Sequence, residues 1–305
     1  MKPLMKIFLG FLSMLMFEAF CVNSYGQGRI SYDYISGSTL KDKLGNKYGS
    51  GNMQILSGSY NIPLSIKYND RKQLTAWNAY IYGAYSTLSN QGEAKDFNPG
   101  NILNGSLNIS HIRPLSEKWS FIASAGGGIY APAGEISAKS ILANGGIVFV
   151  YRLNQNVNIG IGAGLTNSYG VPMVLPMLYF NWQKMSKYEF KIDMSSGLKI
   201  SAATWLNKRI KVEFTALEMD GMSAVTTIEG KSKIYSTVML KSYISPSFRI
   251  NEKTNFFLGI GGNWVRGISI SDRSLKGFID SFKGDDDNPE FGVALRLTAG
   301  FQYSF

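Results

Sequence analysis

Hydrophobic and polar positions alternate along most of this chain, and the clearest case is its last segment. Between residues 290 and 305, apolar side chains occupy the odd positions from Phe291 to Phe305, and polar or small residues occupy the even positions. A period of two over such a length predicts a β-strand with one apolar face. This strand is longer than is usual in a globular protein but suits a tilted crossing of a membrane.

The same alternation recurs earlier in the chain. Residues 157–165 alternate apolar side chains with asparagine and glycine, and residues 103–110, 119–129 and 256–264 follow the same pattern. Lipid can cover the apolar face of such strands, whereas in water a second sheet would have to cover it. A soluble β-sandwich is the alternative, but the predicted strands are about twice as long as the roughly six residues that a sandwich uses.

Short polar connections separate these strands, and longer segments lie between them. The short connections are residues 68–73, 115–119, 153–157, 183–187, 206–209 and 251–255. The longer segments are residues 39–50, 87–101, 131–140, 219–233 and 269–289. Short turns at one end and long loops at the other are typical of a transmembrane β-barrel in the bacterial outer membrane.

The strand number follows from the turns. Six short turns define twelve strands, the carboxyl-terminal strand is a thirteenth, and residues 29–35 supply the strand that makes the number even. The sequence therefore predicts an all-β fold, a transmembrane antiparallel up-and-down β-barrel of about 14 strands. Twelve strands is the alternative, because the connection at residues 195–197 is tight for an outer loop and the first strand has the weakest pattern.

The amino-terminal segment predicts secretion. Lys2 and Lys6 precede a short apolar run, and Ser24 and Gly26 occupy the small-residue positions that signal peptidase requires. Residues 1–26 are therefore interpreted as a signal peptide and residues 27–305 as an outer-membrane β-barrel domain. Lipidation at Cys21 is the alternative interpretation of this segment. Since Cys21 lies in the leader, the mature chain has no cysteine.

Composition and charge agree with this class and suggest partners. Aromatic residues make up 13% of the chain, charged residues 17%, and the net charge is +10. Basic residues in the predicted outer loops, such as Lys231, Arg273 and Lys276, would meet the phosphates of lipopolysaccharide. We expect contacts with outer-membrane lipid and lipopolysaccharide, recognition by the barrel-assembly machinery through the last strand that ends in Phe305, and no nucleic acid.

Candidate catalytic and metal-binding residues are few. The single histidine, His111, follows Ser110, but alternation places the two side chains on opposite faces of one strand, so no nucleophilic site is predicted. With one histidine and no mature cysteine, neither a transition-metal site nor a cofactor is expected. The acidic run Asp285–Asp287 could hold Ca²⁺, but it lacks a metal-loop pattern and is more typical of a solvated loop tip. We predict that the protein is not an enzyme.

The predicted inner face of the barrel carries charge. In the middle strands it holds three acids and three lysines: Glu189, Lys191, Asp193, Lys199, Lys211 and Glu213. Arg296 in the last strand is a seventh lumen-facing candidate. Because the set is balanced, cross-strand ion pairs are favoured over a selective pore. Five glycines on the inner face are expected to leave open space: Gly126, Gly128, Gly160, Gly162 and Gly164.

Two runs of residues carry a family resemblance. Residues 151–165, followed by 175–182, resemble the central part of a family of uncharacterised outer-membrane β-barrel proteins that is known only as a domain of unknown function. The aromatic-x-aromatic end of the chain also resembles the closing strand of such barrels. The resemblance implies a barrel and no activity. A passive, porin-like pore or transporter for small or hydrophobic solutes is the favoured function, and the alternative is a non-transporting barrel whose loops bind a partner or lipopolysaccharide.

Overall fold

Fifteen β-strands make up most of the described chain, which comprises residues 26–194, 197–283 and 289–304 of the computed structural model. The strands are β1 (Gln27–Lys41), β2 (Lys47–Tyr68), β3 (Leu74–Gln91), β4 (Asn101–Pro114), β5 (Trp119–Ala131), β6 (Ile141–Arg152), β7 (Val157–Thr166), β8 (Met173–Lys184), β9 (Tyr188–Asp193), β10 (Leu198–Trp205), β11 (Ile210–Ile228), β12 (Lys231–Arg249), β13 (Thr254–Asp272), β14 (Glu290–Phe291) and β15 (Ala294–Ser304). The short β14 and β15 lie in line and form one strand of the barrel, so the barrel has fourteen strands.

The sheet closes on itself. Each strand pairs antiparallel with its neighbour in the chain from β1 to β13, and β15 pairs with both β13 and β1. Ile30 of β1, for example, is opposite Phe301 on one side and Gly58 on the other. The predicted fourteen-stranded antiparallel barrel is confirmed, and the twelve-stranded alternative is wrong because β1 is part of the ring.

Short turns and long connections lie at opposite ends of the barrel. All six predicted short connections join consecutive strands and lie at the end where β1 begins and β15 ends, which we call the turn end. Asparagine side chains shape several of these turns: Asn251 Oδ1 accepts hydrogen bonds from the backbone N–H groups of Lys253 and Thr254. Such side-chain bonds explain why asparagine marks these turns in the sequence.

The opposite end, the loop end, differs from the prediction in one important segment. The predicted loop at residues 219–233 is wrong, because β11 continues to Ile228 and β12 begins at Lys231. Only Glu229 and Gly230 connect them, and both have positive φ, as in a type I′ hairpin turn. Polar residues within the segment suggested a loop, but they lie on a strand ladder.

The other loop-end connections follow the prediction more closely. Strands β1 and β2 extend into the predicted loop 39–50 and leave only residues 42–46. A short helix, Ala94–Phe97, lies in the second connection, and a longer one, Leu275–Lys283, lies in the last, where we call it the loop helix. The connection between β7 and β8 was not predicted. In the described part of the chain, no helix is long and apolar enough to cross a membrane.

Strand alternation separates an apolar outer surface from the interior. On β15, Leu295, Leu297 and Phe301 are exposed on the outside, whereas Arg296 and Thr298 are buried. Aromatic side chains cluster outside near the turn end; the list includes Trp77, Trp119, Tyr151, Tyr188, Trp205 and Tyr303. This is the arrangement expected of an interfacial aromatic girdle.

The glycines on β5 and β7 do not leave the open space that the sequence suggested. A β-carbon at Gly128 would lie 2.1 Å from the carbonyl oxygen of Gly105, and one at Gly162 would lie 2.0 Å from that of Ile147. Glycine is needed at these positions because the backbone of the neighbouring strand approaches closely. The glycines therefore allow tight curvature of this part of the wall.

Candidate functional site in the barrel interior

Ion pairs line the inner face of β9, β10 and β11. Lys199 Nζ lies 2.7 Å from Glu213 Oε1, and Lys211 Nζ lies 2.5 Å from Glu189 Oε2. The remaining two members of the predicted middle-strand set, Lys191 and Asp193, pair with each other at 2.6 Å. The first two pairs join different strands, as the sequence interpretation expected, whereas Lys191 and Asp193 lie on the same strand, β9.

Arg296 lies apart from this set. Its Nη2 is 2.5 Å from Asp33 Oδ1, and its guanidinium carbon lies 4.7 Å above the ring of Tyr243. Both charged side chains are buried. Asp33 lies on the polar face of β1, but its partner could not be read from the sequence, because the pair forms only when the first and last strands meet.

Lys241 on β12 is the centre of a second buried group that sequence reasoning missed. Its Nζ lies 3.1 Å from Glu218 Oε1 and also donates to Asp220. The Tyr243 hydroxyl donates a hydrogen bond to Glu218. A β-bulge between residues 215 and 218 changes which residues of β11 face inward, so simple alternation did not reveal Glu218 and Asp220.

A small cavity separates this charged group from apolar side chains. It has a volume of about 50 Å³. One water molecule needs about 10–15 Å³, so the cavity has room for a few. Its charged lining comes from Asp33, Asp220, Lys241 and Arg296. Its apolar lining comes from Ile35, Ile55, Met222 and Met239. The interior therefore changes from charged to apolar in the direction of the loop end.

An apolar cluster fills the interior on the loop-end side of the cavity. It joins side chains from one continuous arc of the ring, which runs from β11 to β15 and on from β1 to β4. Its fully buried members include Leu40, Met53, Ile102, Tyr235, Met239 and Phe291. Tyr235 also donates a 2.8 Å hydrogen bond to Asn98 Oδ1 beside the short helix. The lumen is filled at this level.

The part of the β11–β12 hairpin nearest the loop end occupies this space. We call residues 219–240 the inner hairpin, because β11 has no β10 partner beyond Met219 and the hairpin turns into the barrel. The Asn104 side chain of β4 donates a 2.6 Å hydrogen bond to the backbone oxygen of Ser223 across the lumen. Val225 packs against Tyr130 of β5 and Leu142 of β6. The inner hairpin therefore has both faces covered by the barrel.

Loop-end contacts hold the inner hairpin and its surroundings. Thr226 donates a 2.8 Å hydrogen bond to Glu135 in the connection between β5 and β6. Arg273, just beyond β13, donates to the backbone oxygens of Lys139 at 2.6 Å and Ser168 at 2.8 Å. Partial burial lowers the pKa of the Arg273 guanidinium from its ordinary value, but arginine remains charged at neutral pH. One cation thus joins three loop-end connections.

The single histidine lies outside this interior. The His111 ring stacks on Trp77 with centroids 4.2 Å apart, whereas Ser110 is buried on the opposite face of β4. The two side chains therefore do not form a nucleophilic pair. Within the described residues, no three His, Cys, Asp or Glu side chains are grouped to hold a metal ion. The acidic run Asp285–Asp287 lies outside the described residues.

A family model covers nearly the whole barrel. The model of the Domain of unknown function (DUF6268) matches residues 22–304. The chain belongs to this family. The resemblance that residues 151–165 and 175–182 indicated is thereby confirmed, and membership of this uncharacterised family assigns no activity. None of the curated proteins matches the chain.

Solved structures of outer-membrane proteins match this chain at low similarity. An outer membrane channel from Pseudomonas putida F1 covers 94% of this chain and 98% of its own, with 10% identity and a TM-score of 0.45. A mutant of the monoaromatic hydrocarbon channel TodX covers 94% and 92%, with 11% identity and a TM-score of 0.33. The outer membrane protease OmpT from Escherichia coli covers 92% and 97%, with 10% identity and a TM-score of 0.28. At these values no neighbour's activity transfers to this chain.

Proposed function

We propose that this barrel is a gated channel for small or hydrophobic solutes in the bacterial outer membrane, and that the inner hairpin closes it. The apolar outer surface and the aromatic residues near the turn end support the location. The basic start and apolar run of residues 1–26 support secretion, although residues 1–25 lie outside the described chain. The absence of a paired serine and histidine at residues 110 and 111 supports transport over catalysis.

The observation that carries the proposal is the hairpin in the lumen. A barrel strand pair that served only as wall would keep a hydrogen-bonded neighbour on each side, whereas beyond Met219 the inner hairpin keeps only β13 and fills the interior. Its β12 strand stays paired with β13 from Lys233 to Leu240, so movement of the hairpin takes the loop-end part of β13 with it, while the strand pairs nearer the turn end stay intact. A ring that stays closed near the turn end, around a hairpin that fills the lumen, is the arrangement of a gated channel.

Buried polar groups on the opposite wall favour a hydrated lumen below the plug. Both polar atoms of the Asn78 amide, Asn108 Oδ1 and Ser124 Oγ have no hydrogen-bond partner in the described part of the protein. An unsatisfied buried polar atom costs about 1–3 kcal/mol, so water is the natural partner for these groups. A barrel with a purely structural role would be more stable with apolar side chains at these positions.

Removal of the plug tests the channel. Replacing residues 222–237 by Asn-Gly would join Gly221 to Val238, which are directly opposite each other, by a favoured hairpin turn. In planar bilayers we expect long-lived ohmic conductance from this shortened protein and rare openings from the full-length chain. The matched control replaces residues 42–46 of an outer connection by the same turn and should behave like the full-length chain.

A silent shortened barrel would contradict the channel proposal, provided that heat-modifiable migration on gels shows that the barrel has folded. That outcome would favour the non-transporting alternative. Two partners also remain proposals: lipopolysaccharide at the basic residues of the loop end, and the barrel-assembly machinery at the last strand. Phe305, on which the second depends, lies outside the described residues.

A further inference from the structure

The barrel wall is shortened at its loop end by two short strands, β9 and β10. These strands have 6 and 8 residues, whereas their neighbours β8 and β11 have 12 and 19. Strand β9 pairs with β8 only from Asn181 to Lys184, and the last backbone contact beyond that joins Met194 N–H to Phe180 O. In the described chain, residues 173–179 of β8 have no strand partner on this side.

Among the described residues, side-chain contacts close the resulting gap, which we call the seam. Met173 and Leu175 on the inner face of β8 pack against Ile234 of the inner hairpin. Tyr169 joins the same cluster, and its ring lies 5.0 Å from that of Phe278 on the loop helix. All five side chains are apolar or aromatic. The seam is therefore a packed contact that can separate without loss of a backbone hydrogen-bond ladder.

The unpaired edge of β8 at the seam lies beside a lipid-facing surface. The outer face of β8 remains apolar and exposed beside the seam, with Val174 71% and Leu178 53% accessible. In hydrocarbon, an unpaired strand edge is tolerated only where protein covers it or water reaches it. Pro176 lies within this edge and has no N–H to leave unpaired. The sequence of β8 is thus suited to a strand that lacks a partner here.

An apolar path continues from the seam into the barrel. Below Met173 and Leu175, the inner face of β8 presents Met177 and Tyr179, which pack on the buried cluster of Ile122, Val148 and Val150. The described side chains of these two clusters include no charged residue, whereas the wall formed by β9–β11 carries the ion pairs described above. An uncharged apolar molecule would follow the β8 side of the interior without displacing an ion pair.

We propose that the seam is a lateral passage for uncharged apolar molecules between the barrel interior and the surrounding membrane. It opens when the inner hairpin moves away from β8. The inference rests on the gated channel proposed above and assigns its route and the chemical class of its solute. Hydrated ions and sugars would be disfavoured in this passage, because the side chains that close it are apolar or aromatic.

A reversible lock across the seam tests the passage. Cells that express the full chain with Cys21→Ser and the pair Leu175→Cys and Ile234→Cys are assayed for uptake of N-phenylnaphthylamine, an uncharged fluorescent probe. We expect oxidation to reduce uptake to that of cells without the barrel, and reduction of the disulfide to restore it. The matched lock, Ile161→Cys with Leu178→Cys, joins residues that are already opposite each other on β7 and β8 and should leave uptake unchanged.

Truncation of the seam gives the opposite readout and does not depend on disulfide formation. Met173→Ala with Leu175→Ala should increase probe uptake, because less apolar contact holds the inner hairpin on β8. Val174→Ala with Leu178→Ala removes a similar amount of side chain from the outer face of the same strand and should have no effect. Equal uptake by the two truncation variants, or an oxidised seam lock that leaves uptake intact, would overturn the passage.

The two proposals can fail separately. If the barrel with residues 222–237 removed conducts ions and the seam variants do not change probe uptake, the channel stands and the lateral passage is wrong. If that shortened barrel is silent and cells with the full chain take up no more probe than cells without it, both proposals are wrong.

Discussion

Two consecutive hairpins of this barrel have opposite roles. The β9–β10 hairpin is short and remains in the wall, with ion pairs such as Lys191–Asp193 on its inner face. The β11–β12 hairpin extends beyond its neighbour and enters the lumen, where Met222 and Val225 bury its two opposite faces. A strand with one charged and one apolar face belongs at the boundary between interior and lipid. A hairpin that has large apolar side chains on both faces has its lowest free energy inside.

The comparison shows that the length of one hairpin decides whether the next can leave the wall. Because β10 is short, β11 has no partner on the β10 side beyond Met219 and can turn inward together with β12. The seam and the plug therefore have one common cause. Substitutions at the base of the inner hairpin, at its tip and in the β9–β10 wall should separate their contributions.

The largest effect is expected at the base of the inner hairpin. Lys241→Met would leave Glu218 and Asp220, which are 20% and 43% accessible, without their shared buried cation; loss of one member of a buried ion pair costs about 3–5 kcal/mol, and we expect the lower end of that range here. Unfolding in urea, followed by the loss of heat-modifiable migration on gels, measures this change. The triple variant with Glu218→Gln and Asp220→Asn should recover most of the stability. A single variant as stable as the natural chain would show that these charges are not buried as described.

An intermediate effect is expected where the tip of the inner hairpin meets the opposite wall. Asn104→Ala removes the hydrogen bond to the Ser223 carbonyl and leaves a buried acceptor, at a cost of about 1–3 kcal/mol. Hydrogen exchange of residues 219–235 should accelerate while exchange of β1 and β15 stays unchanged. Uniform acceleration across the barrel would contradict local docking of the hairpin.

The smallest effect is expected in the wall at β9–β11. Lys211→Met breaks the pair with Glu189; because Lys211 is 28% accessible and Lys241 only 4%, we expect a smaller loss of about 1 kcal/mol. The same urea titration serves as the measurement, with Lys241→Met beside it. If Lys211→Met proved the more damaging of the two, the proposed contrast between wall and base would be reversed.

Much of the wall could be predicted from the sequence, because a wall strand must repeat polar and apolar positions every two residues. That period located the turns, the strand number and the inner face of Lys199 and Lys211. The inner hairpin escaped prediction since its residues are buried on both faces and no longer alternate. The group around Lys241 escaped it because a β-bulge shifts the inward face. The partnership of Arg296 with Asp33 depends on ring closure, which no local pattern contains.

Ring closure also constrains how the protein can be made. Gln27 is opposite Ser304, so the pairing that completes the barrel joins residues separated by almost the entire chain. Contacts of such high sequence separation form slowly. Until they form, β1 and β15 present unpaired edges to any other chain nearby. The cell must therefore keep the polypeptide apart from its own copies until its last strand has reached its first.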